Sequence, residues 1–181
     1  MEWLDEVDAS GQPTGRVFER SYMHEKGIRH RTSHVWILRW RPEGLQILLQ
    51  KRSEEKDSFP GDYDISSAGH IPAGQDFGES AIRELEEELG IKTQEENLLP
   101  AGMLAINNKL EFHGKPFLDS QICRVYGLFL DIEPEQMKLQ ASEVDSVMWI
   151  SLEDCLRRTR AGEFPCLLQD ELELLIRVFS T

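Results

Sequence analysis

The sequence is short of positive charge. Twenty lysines and arginines stand against thirty-three aspartates and glutamates, a formal net charge of −13, and that balance repels a nucleic acid backbone and an anionic membrane surface. Polymeric nucleic acid and membranes are therefore not expected as partners. Cysteine is scarce as well. Cys123, Cys155 and Cys166 are odd in number and lack metal-site spacing, so reduced thiols in a cytoplasmic setting are expected and redox chemistry is not. No window approaches the roughly 18 apolar residues of a membrane span. The opening MEWLDEVDAS has neither a basic region nor an apolar stretch, so a soluble, cytosolic protein is expected. Internal repeats and low-complexity linkers are also missing. With 181 residues, 40% of them hydrophobic, the chain can build one full core, and a single domain over residues 1–181 is expected. Nothing compels either a monomer or a homodimer.

What is present reads as strands punctuated by helices. EWLDEVDASGQPTGRVFERS has two alternating stretches around a Gly, Pro and Ser cluster, which predicts an N-terminal hairpin over about residues 1–22. SHVWILRW and LQILLQKRS follow as strands joined at RPEG, and ISSAGHI is a short strand between the loops KDSFPGDYD and PAGQDFG. A helix is predicted over Glu79 to Leu89, with Asp76 as N-cap and Gly90 closing it. LLPAGMLAI and SQICRVYGLFLDI read as strands, the second apolar enough for the centre of a sheet. VDSVMWI is a last strand before helices in SLEDCLRRTRAG and LLQDELELLIRVFS. This order predicts an α/β fold, a mixed sheet packed between helices.

The first of these helices poses an electrostatic problem. Glu84, Glu86, Glu87 and Glu88 crowd its C-terminal end, where the macrodipole is already negative and carboxylates are disfavoured. Water, nearby Lys or Arg, or a bound cation must offset that charge. At about 100° per residue, Glu84, Glu87 and Glu88 fall in one arc, beside an apolar arc of Ala81, Ile82, Leu85 and Leu89. Glu86 points elsewhere. Grouped oxygen ligands of this kind suit a hard divalent cation, Mg²⁺ or Mn²⁺. A solvated acidic face is the alternative, and the helix alone does not choose between them.

The surrounding segment, GHIPAGQDFGESAIRELEEELGI from Gly69 to Ile91, closely resembles the Nudix box. That pattern is Gly, five residues, Glu, seven residues, Arg-Glu, an aliphatic, any residue, Glu-Glu, any residue, Gly and an aliphatic. Gly69, Arg83, Glu84, Leu85, Glu87, Glu88, Gly90 and Ile91 fall on it. The resemblance implies an α/β/α sandwich with a mixed sheet, and hydrolysis of a small nucleoside diphosphate linked to a group X, dependent on Mg²⁺ or, in its place, Mn²⁺. It also implies Glu84 and Glu88 as principal metal ligands, Glu87 as a further ligand or water-orienting group, and the Gly69 carbonyl as an additional ligand. Arg83 would hold these carboxylates in place. One position departs from the pattern: the first Glu is Gln75, a tolerable substitution for which Glu79, one turn before Arg83, could stand in as the arginine's salt-bridge partner.

HEKGIRHRTSHVWIL, ILLQKRSEEKDSFPGDYDISSAGH and DSQICRVY, most of Met23 to Tyr126, resemble the Nudix branch related to isopentenyl diphosphate isomerase. That class uses a strand-borne Cys before Gly-His, histidines for a metal, and a late Glu. Ala68 stands at the Cys position and Gln121 at the second late acid, with Asp119 at the neighbouring acid position. A methyl and an amide cannot move protons at carbon, so isomerase chemistry is disfavoured and hydrolysis is expected. His24, His30 and His70 roughly match the isomerase histidines, either as a second metal site or as hydrogen-bonding residues near the pocket mouth. Arg52 and Lys51, before the FPG loop, are expected to meet the diphosphate together with His70, with Arg29 and Arg31 as further candidates. Glu143 sits in a loop where a base outside the box is common, or is merely solvated. His34 is read as a sheet residue and His113 as a loop residue without signal. Trp36, Trp40 and Trp149 read as core or sheet-face residues, while Phe59 and Tyr63 are placed to contact a nucleobase. Gln75 also leaves open a non-catalytic nucleotide-binding module.

Overall fold

The computed structural model describes residues 1–56, 58–112 and 114–180; His113 lies outside the described residues. The chain opens with the expected hairpin, β1 (Trp3–Val7) antiparallel to β2 (Pro13–Glu19), with Trp3 opposite Glu19. Asp8 closes its turn by accepting from the backbone N–H groups of Ser10 and Gln12 at 2.8 and 3.0 Å. The hairpin stops at Glu19, short of the predicted boundary, because Arg20 begins a helix, α1 (Arg20–Lys26), ended by Gly27 in the left-handed region. Only Met23 and His24 are buried on α1, and no side chain caps it. It therefore leaves little helical periodicity in the sequence.

Three strands follow: β3 (His30–Arg41), β4 (Gly44–Arg52) and the short β5 (Tyr63–Asp64). Next come β6 (Ser67–His70) and α2 (Phe77–Leu89), then the long pair β7 (Leu99–Phe112) and β8 (Lys115–Phe129). β9 (Val144–Ser151), α3 (Leu152–Arg160) and α4 (Gln169–Phe179) complete the fold. The main sheet runs β5-β4-β3-β8-β7, with β6 beside β3 and β9 beside β4. β3 and β8 are parallel, His30 opposite Gln121, and the other pairs are antiparallel, so the sheet is mixed as expected. β3 changes neighbour along its length, pairing with β6 through Thr32–Val35 and with β4 through Leu38–Arg41.

Alternation along β3 builds the layers. Trp36 and Leu38 join Leu49, Val125, Leu172 and Leu175 on the face covered by α3 and α4, while Val35 and Ile37 join Leu48, Ala81, Leu85 and Leu89 under α2. Each fully buried side chain of this size contributes about 1.5–3 kcal/mol, and strands covered on both faces read as unbroken apolar runs. The result is the α/β/α sandwich. Among the described residues no helix is long and apolar enough to cross a membrane.

Candidate functional site

α2 begins where Asp76 accepts from the Phe77 N–H at 2.7 Å and ends at Gly90, φ 69°, whose N–H bonds the Glu86 carbonyl. This fixes which face the acids present. Glu84, Glu87 and Glu88 line one cavity of about 490 Å³, together with Arg52, Gly69 and His70. Glu86 instead faces outward and pairs with Lys92 at 3.1 Å. Arg83 donates to Glu84 Oε1 at 2.8 Å and lies 3.9 Å from Glu87. Its other terminal nitrogen donates to Gln75 Oε1 at 2.7 Å. Gln75 therefore keeps the arginine itself and Glu79 does not stand in for it, since the amide oxygen accepts the same bond that a carboxylate would.

Burial sets the electrostatics of these carboxylates. Glu88 is 7% exposed and accepts from Gln50 Nε2 at 3.3 Å. Burial and the neighbouring Glu84 charge push it up to about 8, against the opposing pull of Ser67 and Lys56. Glu84 is raised by burial, with Arg83 opposing. A positive charge beside two such acids would favour their ionised forms. Gly69 lies directly against Glu84. A Cβ there would stand 2.5 Å from Glu84 Cγ and Cδ, so the absence of a side chain is what lets the Glu84 carboxylate lie against the β6 backbone. Gly69→Ala is accordingly expected to displace Glu84 and cut kcat/KM by about tenfold or more, with the fold retained by circular dichroism. Steady-state kinetics at saturating Mg²⁺ checks it.

A second cluster abuts the first. His24 from α1, His30 from β3 and His70 from β6 bring ligand-capable ring nitrogens within 4.8 Å of one another. Their Nε2 atoms and Asp119 Oδ1 are buried without a hydrogen-bond partner among the described residues, and Asp119 lies 3.7 Å from His24 and 3.8 Å from His30. Burial pushes His30 down to about 4, and burial with the charge of Arg20 holds His70 well below the usual imidazole range. Gln121 is committed to its neighbours: it donates to Asp119 and accepts from Thr32 at 2.7 Å. Ala68 lines the cavity as a methyl.

The remaining candidates divide by strand parity. Arg52 lines the cavity, paired with Asp64 at 2.8 Å and donating to the Ser58 carbonyl. Lys51, one residue earlier, is not among the lining residues and faces Asp145 at 3.4 Å; successive strand side chains point to opposite faces. Arg31 is drawn to Asp5, away from the cavity. Glu143 does reach the cavity, in an ion pair with Lys56. Arg20 and Lys56 also line it, and neither was legible from a motif. His34 sits in the sheet as expected and lines the cavity too. Burial disfavours its charged form, but Cys123 and Glu171 outweigh this and hold it well above the usual range. Glu171, fully buried in α4, accepts from His34 Nδ1 at 3.0 Å and from the Trp36 indole at 2.7 Å. Phe59 lines the cavity and packs against Phe112, which meets Phe117. Tyr63 turns to Phe164 instead. Trp36 is core, Trp149 stacks under Arg39, and Trp40 is exposed.

Three acids from one helix lining a single cavity, on a mixed sheet covered by helices on both faces, form the arrangement expected of a diphosphate hydrolase. The NUDIX domain model matches residues 30–169, and the chain belongs to the Nudix family; it is a hydrolase acting on diphosphate bonds. A Nudix hydrolase of Clostridium acetobutylicum is 35% identical over 156 residues, covering 86% of this chain and 73% of its own length. Nudix hydrolase 3 of Arabidopsis thaliana is 38% identical over 84% of this chain, which spans 20% of that longer protein. The crystal structure of a Deinococcus radiodurans protein shares the fold, with a TM-score of 0.73 at 22% identity, over 98% of this chain and 99% of that one. Nudix hydrolases generally work with a divalent metal on small nucleotide-type substrates.

Proposed function

We propose that the chain is a Mg²⁺-dependent hydrolase of nucleoside diphosphates linked to a second group X, acting as one catalytic unit over residues 1–181. The observation that carries this reading is the convergence of Glu84, Glu87 and Glu88 on one cavity with Arg52, around a glycine that leaves room for Glu84. The donor set, side-chain oxygens and the Gly69 carbonyl, fits a hard cation, Mg²⁺ or Mn²⁺. Glu84 and Glu88 would hold it, with Glu87 and Gly69 beside them. When bound, the ion supplies Lewis-acid charge to the diphosphate and lowers the pKa of water. The protein's own residues do the rest. Arg83 fixes the Glu84 carboxylate; Arg52, held by Asp64 and the Ser58 carbonyl, would exchange one of these partners to meet phosphate oxygens; and Arg20, Lys56 and His70 border the same space. Glu87, the most exposed of the three acids, is free to orient the water that attacks one phosphorus in line. The Phe59 and Phe117 rings give the cavity an apolar wall on which a base can stack.

The test is phosphate-containing product from a panel of nucleoside diphosphates and dinucleotides, lost in Glu84→Gln and Glu88→Gln. Inactivity across the panel with both Mg²⁺ and Mn²⁺ counts against the reading, and ligand binding by calorimetry with zero turnover would favour a non-catalytic module.

The unpartnered Nε2 atoms of His24, His30 and His70, with Asp119, favour a second, transition-type ion next to the first. Elemental analysis of the purified protein and of His30→Ala tests this part separately. Isomerase chemistry has no proton-transfer group at Ala68 or Gln121, so an isoprenoid diphosphate in heavy water is expected to take up no deuterium.

A further inference from the structure

The loop that supports the acidic helix is fastened from outside its own motif. Gln75 fixes Arg83, and Arg83 fixes Glu84. A glutamate at position 75 would anchor on Arg83 by charge, whereas the neutral amide forms a weaker bond. The loop between β6 and α2 takes its other holds from the N-terminal hairpin. The Ala73 N–H donates to the Trp3 carbonyl at 2.8 Å, Leu4 bridges Pro72, and the Gly74 N–H donates to Asp5 Oδ2 at 2.9 Å. The same Asp5 oxygen accepts from Arg31 Nη2 at 3.1 Å, and that nitrogen also donates to the Gln75 carbonyl at 3.0 Å. Arg31 lies over the ring of Phe77, the first residue of α2, at 5.4 Å.

Asp5 and Arg31 are each 8% exposed. A buried ion pair adds little stability over an apolar pair of the same shape, yet it fixes geometry closely. Here the geometry fixed is that of Gly74 and Gln75, two bonds upstream of a metal-binding carboxylate. Resting on the hydrolase reading above, we infer that Asp5 and Arg31 are positioning residues: the N-terminal hairpin clamps the loop through them and so sets the affinity of the Glu84 site for its cation. The chain of contacts runs Asp5, Arg31, Gln75, Arg83, Glu84, and each link is a hydrogen bond of 2.7 to 3.1 Å.

The experiment is direct Mn²⁺ binding to the full chain, taking as the signal the portion that Glu84→Gln abolishes. Asp5→Asn keeps the shape and removes the charge. It is expected to weaken that portion by about tenfold, the lower end of what partners of metal ligands contribute, and to raise the Mn²⁺ needed for half-maximal hydrolysis equally. The substrate KM at saturating metal should not move. Glu6→Gln, which removes the charge and one acceptor oxygen from the hairpin contacts to Thr14 and Arg16 but touches nothing in the loop, is expected to bind Mn²⁺ like the unmodified protein. Adding Gln75→Glu to Asp5→Asn is expected to recover part of the lost affinity by anchoring on Arg83, a rescue that general destabilisation would not show. Unchanged Glu84-dependent binding in Asp5→Asn would overturn this inference alone. No Glu84-dependent binding in the unmodified protein would overturn the hydrolase reading and this inference with it.

Discussion

Replacing Glu84 or Glu88 by glutamine is expected to lower kcat/KM by about 10³-fold, since metal-assisted charge stabilisation supplies several kcal/mol and each 1.36 kcal/mol is a factor of ten. The amide keeps the volume and one acceptor but removes the charge that would hold a divalent ion. Both residues face the cavity, and their neighbours cannot compensate: Arg83 is committed to Glu84, and Gln50 to Glu88. Glu86→Gln, on the outer face with Lys92, is expected to behave as the unmodified protein. The useful measurement is kcat and KM across a Mg²⁺ titration. A loss that excess Mg²⁺ fully restores would mean the carboxylate serves only metal affinity; no loss in either variant would remove the cluster from the mechanism.

The second large effect is on stability, and it has the opposite sign. Glu88 is pushed from the ordinary 4.5 up to about 8 by burial, with Glu84 adding to it. Below the unfolded value both folded and unfolded chains hold the proton, so Glu88 costs nothing. Between 4.5 and about 8 the unfolded chain releases the proton while the folded chain retains it, and stability falls as pH rises through that window. By pH 8 the loss is on the order of 4 kcal/mol at 1.36 kcal/mol per pKa unit. Glu88→Gln removes this penalty. In urea unfolding with a chelator present, the variant is expected to match the unmodified protein near pH 4 and to be clearly more stable at pH 8. Saturating Mn²⁺ should reverse the order, because only the glutamate gains from the ion. A Glu88→Gln variant less stable than the unmodified protein at pH 8 without metal would show that the carboxylate is not strained in the cavity.

Much of this site was legible because its signal is local. Asp76, Glu84, Glu87, Glu88 and Gly90 lie on one helix, where spacing alone fixes the face each presents. The strands around it were legible wherever hydrophobic patterning was strong, as in SHVWILRW. The unread parts have specific causes. α1 is short, has no side-chain cap and hides only two side chains. β7 and β8 run on to Phe112 and Lys115 through the polar stretch NNKLEF, where cross-strand pairing rather than apolar content extends the ladder. Lys51 was assigned alongside Arg52, yet a one-residue step on a strand reverses the face. Arg20, Lys56 and Glu143 reach the cavity from separate segments through tertiary packing, which no spacing rule reports. Gln75 kept the arginine contact because an amide oxygen suffices for it, a matter of atom placement rather than residue class.

The parallel pairing of β3 with β8 has a consequence for how the protein comes into being. It joins His30 to Gln121 across more than half the chain, and closing so long a loop costs entropy before any contact offsets it, which makes such pairings late events. On a ribosome, α2 emerges with its acids facing open water, and the strand that walls the cavity follows only afterwards. Cation capture should therefore belong to the finished polypeptide, so that nascent chains halted before residue 115 are expected to leave the ion in solution.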